Sequence, residues 1–327
     1  MIKVICLMAV MAVIFMLGGC GSRADAPELE QPLIRVAALR GPTAMGMLHL
    51  MDNHEQGLAR NDYTFELLGA PFEVAPLLVR GDVDVAAVPG NLAAVLYNQM
   101  DGAVQALAVV TLGVLHIVDT TGEIHSVADL AGRTIFATGQ GATPDFALSY
   151  VLKQNGLTPG VDVHIEFYAE HAELAALLEI GEADIALLPE PFVSTVMARI
   201  PGLRVALDLT EEWDRVQPDY GLIMSVVVGR RDFLEAHPEA VALFMEEYAQ
   251  SIAFMTENVA EGAQLTVDFG LIPNINIAKS ALPRTHMVFL NGDEMKRNLM
   301  GFYRVLYEAS PASVGGAMPD GDFFFIP

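Results

Sequence analysis

The segment APLLVRGDVDVAAVPGNLAAVLYN, Ala75 to Asn98, returns one hundred positions later as AALLEIGEADIALLPEPFVSTVMA, Ala175 to Ala198. At that offset Gly81 falls on Gly181, Asp84 on Asp184, Ala86 on Ala186 and Pro89 on Pro189. Each copy reads as a helix, a turn, a short apolar strand ending in proline, and a second helix. The register continues upstream without a gap. RGPTAMG from Arg40 falls on QGATPDF from Gln140, pairing Gly41 with Gly141 and Thr43 with Thr143, and Glu73 meets Glu173. One constant offset over so many elements marks two related half units.

Outward from the repeat, short apolar runs alternate with longer amphipathic stretches from Leu33 onward: LIRVAAL, TAMGMLHLMDNHE, YTFELLG, EVAPLLVRG, VDVAAVP, NLAAVLYNQ. Strand alternating with helix predicts an α/β protein with parallel sheets flanked by helices. Ligands of such sheets sit outside the carboxyl ends of the strands. Two facing lobes would therefore line a cleft with LRGPTA and VPGNL on one side and TGQGATP and LPEPF on the other. The β-rich run Ala106 to Thr120 suits a crossing between lobes, and Tyr220 to Phe233 a return, followed by a helix from His237 to about Asn258. Two crossings make a hinge.

The chain has 327 residues, enough for a large core or two lobes, and a net charge of −23. Such acidity excludes nucleic acid as a partner, because phosphate binding needs clustered Lys and Arg. It keeps the body soluble and leaves the sign of any ligand open.

The first residues, MIKVICLMAVMAVIFMLGGC, combine Lys3 with an uncharged apolar run and small residues before Cys20. This reads as a secretion signal over residues 1–19, the run being too short for a comfortable membrane span. LGGC matches the lipobox of bacterial lipoproteins, and that resemblance implies cleavage before Cys20 and lipidation of its thiol. Residues 20–32, through GSRADAPELEQP, read as a flexible tether. With Cys6 and Cys20 the sole cysteines, the exported body has no disulfide, thiolate nucleophile or Cys-ligated metal.

Candidate ligand contacts follow from the cleft. Gly41 and Gly141 allow close approach to the main chain, and Thr43 and Thr143 are expected to cap helices or to donate to a ligand. Arg40 suits an anion or open solvent; Asn91, at a helix start, is a ligand contact or an N-cap. Thr111 in the crossing, Gln140 on the second-lobe loop and Tyr220 at the return complete the set. Glu190 stands between two prolines where the first half has Gly90. Its carboxylate should meet a ligand amine, amidine or hydroxyl, or an arginine from the other lobe, unless it only sits beside a helix N-terminus. Trp213 is expected in core or interlobe packing.

IRVAALRGPTAMGM, LLVRGDVDVAAVPGNLA, SVADLAGRTIFATGQGATPDFAL, LEIGEADIALLPEPF and VVVGRRDFLEAHPEAV together carry a family resemblance. The chain resembles the substrate-binding lipoproteins of bacterial ABC importers, in the nitrate, sulfonate, taurine and thiamine-precursor group. The resemblance implies a two-lobed type II periplasmic-binding-protein fold, with lobe 1 built from 33–112 and 221–327 and lobe 2 from 113–220. It further implies a monomer outside the cytoplasm, lipid-anchored at Cys20, that passes a small solute to an ABC permease with its ATPase. A carboxylate in the pocket would favour an amine-bearing solute such as an amino sulfonate or aminopyrimidine over nitrate. No metal or other cofactor is expected. An enzyme reading finds no HExxH, GxSxG or Walker loop, and a pyrimidine-forming enzyme of related fold carries a cysteine-rich iron motif that is missing here. A sensor built on the same fold remains a third reading.

Overall fold

The computed structural model describes residues 32–69 and 71–326, the side chains at 71 and 72 excepted. The segment expected to be a secretion signal, Cys20 and the expected tether through residue 31 lie outside the described residues.

The first half runs β1 (Leu33–Leu39), α1 (Pro42–Met45), α2 (Leu48–Glu55), β2 (Asp62–Leu68), α3 (Pro71–Arg80), β3 (Val85–Pro89), α4 (Gly90–Gln99) and β4 (Val104–Leu112). After β5 (Leu115–Asp119) the second half repeats it as β6 (Thr134–Thr138), α5 (Thr143–Gln154), β7 (His164–Tyr168), α6 (His171–Ile180), β8 (Ile185–Pro189), α7 (Phe192–Arg199) and β9 (Arg204–Asp208). Then come α8 (Leu209–Val216), β10 (Ile223–Arg230), α9 (Arg231–Ala236), α10 (Pro238–Glu257), α11 (Val259–Asp268), α12 (Ile275–Ala281), β11 (Met287–Leu290) and α13 (Gly292–Ala309).

The repeat is visible in the sheets. One is ordered β11-β4-β10-β3-β1-β2 and the other β7-β6-β8-β5-β9. Leave out β11 and the two orders superpose, β10 occupying the place of β5. Both of these strands run antiparallel to their neighbours, while β1, β2 and β3, like β6, β7 and β8, run parallel. The strand that follows each half thus inserts into the sheet of the other half. Matching hydrogen bonds close the two exchanges: Arg230 N–H donates to the Asp84 carbonyl at 2.9 Å, and Thr120 N–H to the Asp184 carbonyl at 3.0 Å.

Local chemistry explains the conserved spacing of the repeat. Gly81 and Gly181 follow α3 and α6 with φ of +74° and +75°, the left-handed stop that a side chain resists. The strands VAAVP and IALLP are apolar on both faces, and both are covered. One apolar cluster runs from Val88 through Leu187 to Phe302; a second joins β1 to α2 and α10, and a third packs α6 and α7 on β8.

The chain crosses between sheets at Gly113–Val114 and again through Tyr220–Leu222. Each crossing is clasped. His286 Nδ1 lies 2.5 Å from the Gly113 carbonyl oxygen, and a Cβ on Gly113 would stand 2.0 Å from Thr210 Oγ1. At the other, the Tyr220 ring rests on Gly301 of α13, where a Cβ would come within 2.0 Å of it. Trp213 is fully buried, donates Nε1–H to the Tyr220 carbonyl at 2.8 Å, and packs between Tyr150 of α5 and Phe302 of α13.

Candidate ligand site

The carboxyl ends of β1, β2 and β3 face those of β6, β7 and β8 across a cavity of 230 Å³. All six strand-to-helix joins contribute to its wall. Under the offset of the repeat its lining pairs off: Leu39 with Gly139, Pro42 with Ala142, Thr43 with Thr143, Gly69 with Ala169, Pro89 with Pro189. The two crossings add Val114 and Leu115 from one, and Met224 and Ser225 from the other.

Departures from this symmetry give the cavity its polarity. Arg40 is the one cation among the lining residues and Glu170 the one carboxylate, and they come from opposite sheets. Both are exposed, and neither makes an ion pair among the described residues. His171 opens α6, and its Nδ1 lies 2.6 Å from the Thr138 hydroxyl. Burial pushes its imidazole pKa down to about 4, so the ring is neutral at physiological pH. The first turn of α5 meets the wall through Ala142, Thr143 and Pro144 without a side-chain cap, and its own Asp145 accepts from the Gly141 N–H.

Of the ten expected contacts in the body, Arg40, Thr43 and Thr143 line the cavity. The capping role expected of the two threonines gives way to another, because both lie inside their helices; Gly41 and Ala142 hold the cap positions. Thr43 Oγ1 instead lies 2.9 Å from Ser225 Oγ, and Thr143 donates to Asn91 Oδ1 at 3.2 Å. Asn91 is buried and spends its amide on Thr143 and the Ser313 carbonyl, so it joins the two halves behind the wall. Thr111 is buried within β4, between Ser225 and Met287. Gln140 and Gly141 are exposed beside the wall, where Gly141 N–H donates to Asp145 at 2.9 Å. Gly41 caps α1 at φ +106°, and Tyr220 packs on Gly301.

Glu190 is placed away from the cavity lining. Its side chain is 0% exposed; one oxygen accepts from Ser194 N–H and the other from Ser194 Oγ–H, both at 3.1 Å. Arg284, from the segment after α12, approaches the second oxygen at 3.4 Å. Burial raises the carboxyl pKa, opposed by the Ser194 bonds and by Arg284. The partner is thus an arginine, one of the two kinds expected, and Glu170 is the carboxylate that lines the cavity. A wider hollow of 770 Å³ between α7 and α12 lies behind this pair; of its polar side chains, Ser194, Arg199, Asn274 and Arg284 are bonded within the protein, while Asn276 and Ser280 also line it.

Sequence reasoning missed Glu170, His171 and Thr138. Readable signals existed: the strand-end rule applies to the second join of each half as it does to the first and third, and the YAEH that follows β7 stands at such a join.

Residues 73–212 match the family described as phosphonate periplasmic substrate-binding proteins of ABC transporters. No curated protein matches the chain. Among solved structures, an ABC transporter protein from Parabacteroides distasonis aligns at 23% identity over 90% of this chain and 98% of its own, with a TM-score of 0.76. The aliphatic sulphonate binding protein SsuA of Escherichia coli aligns at 16% identity, covering 90% and 92%, with a TM-score of 0.72. The fold is shared with these solved binding proteins, and the family match covers the middle of the chain. The alkanesulfonate-binding SsuA of Xanthomonas axonopodis, solved with MOPS bound, aligns at 15% identity over 89% and 96%, with a TM-score of 0.68. Among the described residues no helix is long and apolar enough to cross a membrane.

Proposed function

We propose that this chain is the extracytoplasmic receptor of an ABC importer, held at the membrane by lipid on Cys20, and that it captures a small zwitterion between its two halves. One observation carries the ligand reading: Arg40 and Glu170 enter the same 230 Å³ cavity from opposite sheets. A guanidinium suits a tetrahedral acid group, and a carboxylate suits an amine. An aminoalkyl sulfonate or phosphonate satisfies both ends. An aminopyrimidine fits less well, since no Phe, Tyr or Trp lines the cavity to stack on a ring. Ligand capture favours the closed arrangement, which the permease then reads.

Thermal shift against taurine, 2-aminoethylphosphonate, ethanesulfonate and nitrate tests the class. The two zwitterions should raise the melting temperature most. Arg40→Gln and Glu170→Gln should each weaken zwitterion binding about tenfold or more, and Glu170→Gln should leave ethanesulfonate binding unchanged or improved. Equal responses to taurine and ethanesulfonate in the wild type would remove the amine from the assignment. For the anchor, the mass of the mature N-terminal peptide should show acylated Cys20, and Cys20→Ala should release the protein into the soluble fraction.

A further inference from the structure

Thr138, at the end of β6, and His171, at the start of α6, stand side by side in the cavity wall, 2.6 Å apart between Oγ1 and Nδ1. The imidazole is only partly exposed and packs against the Phe192 ring at 5.0 Å between centroids. A neutral imidazole carries one proton, and the partner of one nitrogen decides what the other offers. Thr138 Oγ1 makes no other hydrogen bond among the described residues. If Nδ1 kept the proton, the Thr138 hydroxyl hydrogen and the Nε2 lone pair would both lack a partner among the described residues; if Thr138 donates to Nδ1, only Nε2–H is left open.

We propose that Thr138 donates to His171 Nδ1 and thereby fixes Nε2–H as an uncharged donor for an oxygen of the ligand acid group, making Thr138 and His171 specificity-determining residues of the site. The inference rests on the ligand class proposed above and extends it. A neutral donor adds a directed hydrogen bond to the anionic end without adding charge, and so sharpens the selection for acceptor oxygens beside the charge that Arg40 supplies. The Thr138 hydroxyl acts through the ring, as a positioning group. In the first half neither side chain has an equivalent: Thr138 falls on Ala38 and His171 on Pro71. This hydrogen-bonding pair, like Arg40 and Glu170, belongs to the asymmetric part of the cavity.

Nitrogen-15 shifts of the His171 ring in the purified full chain should show a protonated Nε2 and a bare Nδ1, and the ring should remain neutral well below the ordinary histidine value of about 6.5. Thr138→Val should convert the ring to the other tautomer or a mixture, and Thr138→Ser should restore it. With 2-aminoethylphosphonate as probe, His171→Leu should raise Kd about tenfold or more, His171→Gln, which keeps a donor, by less, and Thr138→Val by an intermediate amount. A ring protonated on Nδ1 in the wild type overturns the proposal, as does an unchanged Kd in His171→Leu. Should no zwitterion bind the wild type, the ligand class fails first, and the tautomer and its response to Thr138→Val still decide the inference.

Discussion

Glu190, after β8, and Arg284, after α12, reach each other although neither lines the cavity, so their effect on a ligand is indirect. The carboxylate is fully buried and the arginine is 42% exposed, which limits the strength of the pair to about 1 kcal/mol. We predict that Arg284→Gln and Glu190→Gln weaken binding in the same direction by opening the closed form, and that the double variant is no worse than the stronger single one. Additive losses in a double-mutant cycle would show that the two act separately. His171 supplies a pH dependence. Its folded pKa of about 4 lies below the unfolded value, so the unfolded chain takes up a proton first as pH falls. Its contribution is intact above about pH 6.5 and is lost toward pH 4, a loss on the order of 3 kcal/mol. The raised pKa of Glu190 has the opposite sign, favouring the folded state at acid pH and penalising it as pH rises through the folded value. Urea melts across this range should therefore show a shallower acid slope in His171→Gln than in the wild type.

The elements that turn the chain between sheets depend on two glycines with ordinary backbone angles and no room for a side chain. Gly113 lies against Thr210 and Gly301 against the Tyr220 ring. Gly113→Ala and Gly301→Ala should each cost about 1–3 kcal/mol by overpacking, measurable as a lower midpoint in urea with an unchanged slope. Thr210→Ala should recover part of the Gly113→Ala loss; no recovery would place the strain elsewhere. Most elements were legible in the sequence. The helix stops at Gly81 and Gly181, both crossings and the long helix after His237 all follow from glycine placement and periodicity. The helix starts were not. Thr43 and Thr143 look like caps by residue type, yet Pro42 and the Gly139–Ala142 turn start their helices earlier and free both hydroxyls for partners remote in sequence.

At the scale of the molecule, the contacts joining the halves surround the ligand cavity: Asn91 with Thr143, Glu190 with Arg284, and Trp213 between Tyr150 and Phe302. Two crossing points and such small polar seams are what a closing hinge requires. Small-angle scattering should show a smaller radius of gyration with saturating zwitterion than without, and a larger one for ligand-free Arg284→Gln than for ligand-free wild type. Curves identical in all three states would remove closure from the mechanism. Trp213→Phe should weaken the join by removing the bond to the Tyr220 carbonyl and part of the packing, at a cost of about 1–3 kcal/mol.

The amino-acid sequence alone determined that two similar α/β units share this chain and that the loops at their strand ends are where a candidate site lies, because periodicity, glycine stops and strand-ending prolines act locally and recur at a constant offset. Tertiary structure alone decided which polar groups face that site. Glu190 and Arg284 are 94 positions apart and Asn91 and Thr143 are 52, and only the packing of the two halves brings each pair together. A buried polar group takes whichever partner offsets its lost hydration, and when that partner lies in the other half no local pattern records it. LLPEPF announced a carboxylate at the mouth of the site; only the fold showed it turned toward Arg284, leaving the cavity to Arg40, Glu170 and His171.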